Sequence, residues 1–344
     1  MNRHLLYCAA AALTMTACSS NEIEENTVEH PRNAVAIRIG QTVEGVTARA
    51  AVENGSPVTA TVLTANYTSD YATTAWSNFT PHLTNELNSG EPPTLKTPAN
   101  VSTATFTAGE KQAVALNPTL YYYPDNGTAV AAVAPAGSVT GDNVVMRLAD
   151  GEQDVMYAEA ATVATKPGDQ NAADNTPVAL TFTHKTTQLN FAFKKTTVEG
   201  SSWSGKSVSV KSIAILNAGL PESVRFSDGT VNWKSVGNLE VPGITAGNSV
   251  TEDAAKVGRA VMVNTSSDIR LDIVLTVSGT DYTFTDVPVM GTTPGEKLST
   301  VIGSSHLITL AVKEPVGPSD GVEITTTATV TPWNTGEAGS GTLN

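Results

Sequence analysis

Cysteine is almost missing from this sequence. Of 344 residues only Cys8 and Cys18 are cysteines. Cys8 lies in an apolar leader expected to be removed, so the mature chain keeps a single thiol. That excludes an internal disulfide framework and a thiolate metal site. Charge is scarce as well, at 15%. Its balance is acidic, with 20 Lys and Arg against 33 Asp and Glu and a formal net charge of −13. Removing residues 1–17 takes away Arg3 and no acid, which makes the balance more negative still. Nucleic acid is therefore excluded as a partner, because phosphate neutralisation needs clustered Lys and Arg. Aromatic residues amount to 6%.

The signatures of catalysis are missing too. There is no G-x-S-x-G elbow, no H-E-x-x-H pair, no phosphate-binding loop and no dinucleotide fingerprint. The histidines His4, His30, His82, His184 and His306 stand apart from one another. His184 has no second ligand at metal-binding spacing, so it reads as a structural histidine at a strand bend. The sequence is expected to be neither an enzyme nor a cofactor carrier.

What is present is a β-rich composition. Thr, Ala, Val, Gly and Ser dominate. Short alternating runs bounded by Gly, Pro, Asn and Asp recur along the chain, and helical periods are rare. This is an all-β, sandwich-type profile. The length suggests two domains.

At the start, Arg3 and His4 precede an apolar run, Leu5 to Ala17, too short to span a bilayer. It fits residues 1–17 as a secretory signal. The run closes on Ala17-Cys18, which resembles the lipobox of bacterial lipoproteins. That resemblance implies cleavage before Cys18, acylation of its sulfur and amine, and anchoring in the outer membrane. Residues 18–32 are polar and acidic and read as a flexible tether.

The first domain is expected over residues 33–177. Its first strand is Ala34–Gly40, with Val35, Ile37 and Ile39 on one face. The loop behind it holds Arg49 among small residues. Further strands are read at Val58–Tyr67, Thr103–Thr107, Leu120–Pro124, Val130–Pro135, Val144–Leu148 and Asp154–Ala158. The Tyr121–Tyr123 cluster reads as strand aromatics shared between core and surface. A loop at 164–177 sets the expected boundary. The second domain, 178–314, opens with the strand over Val178–His184. It continues through Leu189–Phe193 and Val208–Ile215, then a hairpin over Ser223–Trp233 turning at Asp228-Gly229. The strands Arg259–Val263, Ile269–Val277 and Leu307–Val312 complete it.

A Pro/Gly linker begins the last segment, 315–344. Beyond it Val322, Ile324, Thr326, Ala328 and Val330 share one face, ahead of Trp333. This strand needs a groove to fill, in its own domain or in another molecule.

Several of these features fall in a telling order. They are the leader ending at Cys18, Thr47-Ala48-Arg49-Ala50 after the first strand, and Asp154-Val155-Met156-Tyr157-Ala158. Leu180-Thr181-Phe182-Thr183-His184, the Pro294-Gly295-Glu296-Lys297 turn and the ending Ala328-Thr329-Val330-Thr331-Pro332-Trp333 follow. In that order the chain resembles the fimbrillin (Mfa-like) family, the lipoprotein-derived pilins of Bacteroidetes-type pili. The resemblance implies two transthyretin-like β-sandwich domains in tandem and no catalysis. It implies cell-surface fimbriae, homologous pilin subunits as partners in a head-to-tail polymer, and adhesion to host or bacterial surface receptors. By the same resemblance an arginine-directed protease cuts at Arg49 and releases the first strand. The C-terminal strand of a neighbour then enters as donor. The linker before Val322 favours a stalk subunit over an anchor or a tip. The competing reading, from another class, is a surface glycan-binding lipoprotein that stacks sugars on Trp76, Trp203 or Trp233.

Overall fold

A computed structural model describes residues 31, 33–43, 56–67, 74–77, 79–108, 113–114, 116–123, 127–159, 177–196, 205–245, 248–313 and 323–332. Within them the fold is all-β, apart from a single helical turn at Thr74–Ser77.

The largest sheet has eight strands. In spatial order they are Ala113–Val114, Ile39–Val43, Val178–His184, Met156–Glu159, Gly127–Ala134, Pro57–Tyr67, Val101–Thr107 and Leu116–Asn117. Its two edge strands are almost consecutive in the chain, so the sheet curls until its edges meet. The inside of that curl is one core, built from Val35, Ile37, Ile39, Val62, Phe106, Met156, Leu180 and Phe182 among others. Phe106 and Phe182 meet there with ring centroids 5.1 Å apart.

The strand Gly127–Ala134 is buried on both faces. Val130, Ala132 and Ala134 face the inside of the curl. Ala129, Ala131 and Val133 face outward into a second core with Val144, Met146, Val224 and Phe226. A strand covered on both sides reads as a continuous apolar run rather than an alternation, and the sequence AVAAVA obeys that rule.

A long strand, Val208–Arg225, ties this region to the rest. Its first part pairs antiparallel with Arg270–Val277, which pairs with Thr280–Pro288. Its last residues pair with Asn143–Val145. It also pairs with Val231–Glu240. Opposite lies a sheet in the order Ala255–Val263, Thr187–Thr196, Ser304–Lys313, Glu323–Pro332. Between the two sheets sits the third and largest core, with Leu189, Phe191, Phe193, Ile213, Leu271, Ile273, Ile308 and Leu310.

Most expected strands are found, with bounds shifted by a few residues. The hairpin turn at Asp228-Gly229 is present, and Gly229 has φ +70°. Three expectations need correction. The strand Val178–His184 does not open the second domain. It lies inside the eight-stranded sheet, parallel to Ile39–Val43 and antiparallel to Met156–Tyr157. The sheets therefore part at Lys185–Thr186, not before Val178, because Val178, Leu180 and Phe182 point into the first core. The region 33–177 is also not self-contained, since Asn143–Val145 completes its ladder on Ser223–Arg225. The regular first strand is Ile39–Val43 rather than Ala34–Gly40, with one isolated bridge at Ala36 to Tyr121 upstream.

Candidate functional site

The first strand occupies a slot in the curled sheet. On one side Ile39–Val43 pairs with Val178–Phe182, and the Val178 amide donates to the Arg38 carbonyl at 2.7 Å. On the other side Ile39 and Gly40 pair with Val114 and Ala113. The Ile37 amide donates to Leu120 O at 2.8 Å, and the Tyr122 amide to Val35 O at 3.0 Å. Val35, Ile37 and Ile39 are all buried, while Arg38 between them is exposed. The alternation read from the sequence thus faces the core as expected. Burying three such side chains contributes about 1.5–3 kcal/mol each. Removing this segment would leave the backbone groups of Ala113–Val114, Leu120, Tyr122 and Val178–Phe182 that it now bonds without those partners, above an apolar floor.

The C-terminal strand Glu323–Pro332 packs on its own chain. It runs antiparallel to Ser304–Lys313 over its whole length. Ala328 and Thr326 are buried, Ile324 packs against the largest core, and Thr325, Thr327 and Thr329 are exposed. The apolar face is the expected one, and the groove it fills belongs to its own domain. Val330 lies in the strand, but its side chain is not among those described.

Cys18, Arg49, Val322, Trp203 and Trp333 fall outside the described residues. Trp76 is buried, with its ring centroid 5.3 Å from that of Phe226 and 5.8 Å from that of Phe79. It is a core residue and offers no stacking platform. Tyr121 and Tyr122 are buried as well. Burial raises the pKa of both phenols. Trp233 is half-buried in Val231–Glu240.

His184 is a structural histidine, as its isolation suggested. Its Nδ1 lies 2.5 Å from Asp154 Oδ2, and both side chains are buried. Thr186 Oγ1 donates to the other carboxylate oxygen at 2.9 Å. Asp154 was not legible as a partner, because an acid read at the start of a strand carries no local sign of the histidine and threonine that fold against it.

A cleft of about 300 Å³ opens beside a bulge of the long strand, lined partly by Asn217, Asn264, Asp268 and Arg270. The side chains of Asn264, Asp268 and Arg270 are already engaged. Asn264 Oδ1 accepts from the Gly219 amide at 2.8 Å. Lys297 Nζ donates to Asp268 at 2.7 Å, and Arg270 bonds Asp286 at 2.5 Å. The Lys297 hydrogen bond, with help from Arg270, holds the Asp268 carboxyl below its ordinary range. Internal pairing of this kind builds a surface and leaves no reactive group poised. Among the described residues no group of three or more His, Cys, Asp and Glu is placed to hold a metal ion, and no helix is long and apolar enough to cross a membrane.

No curated protein matches the chain. Solved structures that resemble it include three fimbrial proteins. A fimbrial protein from Bacteroides vulgatus is 14% identical, covers 86% of this chain and 99% of its own, and superposes with a TM-score of 0.51. The fimbrilin FimA from Porphyromonas gingivalis is 12% identical over 87% and 97%, with a TM-score of 0.44. The tip fimbrial protein Mfa3 from Porphyromonas gingivalis, truncated at its C-terminus, is 11% identical over 87% and 100%, at 0.43. At these identities the first likeness bears on the fold alone, and the other two carry no argument. The family model described as fimbrillin-like matches residues 87–333, well over half of the chain. Proteins of this kind are structural and not enzymes. The chain belongs to the fimbrillin-like family.

Proposed function

We propose that this chain is a structural subunit of a cell-surface fimbrium that supports adhesion. It is exported as a lipoprotein acylated on Cys18 and held at the outer membrane before processing. A protease cuts at Arg49, downstream of Val43 in the sequence, and the first strand leaves. The strand beginning at Val322 of a neighbouring subunit then fills the slot. Its partners are homologous pilin subunits joined head to tail. A heterologous contact of that kind does not close on itself, so it builds a filament.

The observation that carries this reading is the slot itself. Val35, Ile37 and Ile39 bury alternate side chains in the core of the curled sheet, between two rows of backbone partners. Ile324, Thr326 and Ala328 bury alternate side chains with the same spacing. Two strands with matching period can exchange on one sheet, because the backbone supplies affinity and alternate side chains supply register. The intact first strand meanwhile protects an edge that would otherwise invite uncontrolled pairing.

The test is polymerisation after controlled cleavage. Soluble protein starting at Ser19 is nicked with an arginine-specific protease and run unboiled on a denaturing gel, beside the same protein lacking 315–344. A ladder that vanishes with the deletion is the expected result. No ladder from either protein sinks strand exchange by this tail.

A further inference from the structure

The C-terminal strand is bonded along both of its edges. On one edge it ladders onto Ser304–Lys313, from Pro332 opposite Ser304 to Glu323 opposite Lys313. On the other it meets Pro288–Met290, where Thr280–Pro288 of the opposite sheet ends. This second contact is not a ladder. The Ala328 amide donates to Met290 O at 3.1 Å. Thr326 Oγ1 accepts from the Met290 amide at 2.8 Å and donates to Pro288 O at 2.8 Å. One hydroxyl thus stands in for a backbone donor and acceptor at once. It is buried, while the neighbouring Thr325 and Thr327 face solvent. Pro288–Met290 is itself anchored, since the Val289 amide donates to Ile269 O at 2.9 Å and the Leu298 amide to Val289 O at 2.8 Å.

We propose that Thr326 is a clasp. It keeps the C-terminal strand on its own chain by joining the two sheets of the largest core, so the subunit caps itself until these bonds open. The clasp stands on this geometry, and its part in assembly rests on the strand-exchange reading above. An apolar side chain would serve the core contact equally well, so the hydroxyl is explained by the clasp. Valine at 326 would keep the β-branched shape and leave Met290 N and Pro288 O without their partner. Losing two hydrogen bonds of ordinary strength shifts a local opening equilibrium by roughly tenfold to a hundredfold.

The experiment is hydrogen–deuterium exchange, read by mass spectrometry, on the chain from Ser19 to Asn344. Thr326→Val is expected to speed exchange across 323–332 by about tenfold or more, while Met156–Glu159 and Val178–His184 keep their protection. Thr326→Ser, which keeps the hydroxyl, is expected to match the parent. Unchanged exchange of 323–332 in Thr326→Val overturns the clasp, as does a loss of protection spread evenly over the whole chain. The same proteins are then nicked at arginine. A faster ladder from Thr326→Val ties the clasp to assembly. Equal ladder rates despite faster exchange overturn that tie. Faster exchange with no ladder from any variant upholds the clasp as a fold contact and removes the strand-exchange reading instead.

Discussion

His184 and Asp154 fasten the point where the chain leaves one sheet for the next. His184 ends the strand in the eight-stranded sheet, and Thr187 begins the strand of the opposite sheet. Asp154 holds this crossover through His184 Nδ1 at 2.5 Å and Thr186 Oγ1 at 2.9 Å. The Lys185 amide adds a bond to Val155 O at 2.7 Å. Burial makes such a group costly to orphan. Asp154→Ala is therefore expected to lower stability by about 3 kcal/mol. Asp154→Asn, which keeps an acceptor, is expected to lose less. Urea unfolding followed by circular dichroism reads both. A midpoint for Asp154→Ala equal to that of the parent would count against this role.

His306 predicts a pH dependence. It is buried in Ser304–Lys313, opposite Val330 of the C-terminal strand. Its Nε2 accepts from the Val301 amide at 3.4 Å, and its Nδ1 has no hydrogen-bond partner. Burial pushes its pKa below the ordinary histidine value. The native state thus favours the neutral ring, and the unfolded state takes up a proton first as pH falls. The contribution is flat above about pH 6.5 and then lowers stability on further acidification, by at most about 1.4 kcal/mol per pH unit. It levels off below the folded pKa. Comparing stability from pH 7.5 to 5 in the parent and in His306→Met isolates the effect. Parallel curves for the two proteins would refute it.

Gly229 turns the hairpin at the end of the long strand against Tyr157. A Cβ added there would lie 2.4 Å from the Tyr157 ring, at φ +70°. Tyr157 cannot easily give way, because its hydroxyl donates to Phe226 O at 3.1 Å. Gly229→Ala is expected to cost about 2 kcal/mol from strain and clash together. In a double-mutant cycle with Tyr157→Ala, that cost should shrink to the backbone part alone. Strictly additive losses would place the effect elsewhere.

The slot predicts binding in trans. A synthetic peptide of the segment Val322–Trp333 is expected to bind the chain after arginine cleavage and not before. Replacing Ile324 and Ala328 by Asp in the peptide should abolish binding, because both lie on the apolar face. Fluorescence anisotropy with a labelled peptide measures this. Equal binding to cut and uncut protein would point to a site other than the vacated slot.

Much of this was open to view in the sequence because strands announce themselves locally. Alternation at Val35, Ile37 and Ile39, and again at Ile324, Thr326 and Ala328, fixes which side chains share a face. It cannot say which backbone will lie alongside. Val178–His184 shows a clean apolar face, yet its sheet is decided by distant ladders to Ile39–Val43 and Met156–Tyr157. The long strand was readable only as two pieces, Val208–Ile215 and the hairpin arm from Ser223, because Asn217 at φ 53°, Gly219 and Pro221 break the pattern between them with bulges. Asp154 looked like the first residue of a strand and Thr326 like one more side chain on an apolar face. Each acquires its role only from groups brought close by folding, His184 and Thr186 for one, Pro288 and Met290 for the other.

By itself, then, the sequence determined the all-β class, the inward faces of its strands, the acidic character and the family likeness. These depend on residue type and short-range period, which the chain carries wherever it folds. Tertiary structure alone decided where the sheets part, that one strand serves two cores, and that the C-terminal strand lies on its own chain. Those outcomes depend on pairing backbone groups far apart in sequence, and a hydrogen-bond partner has no local signature.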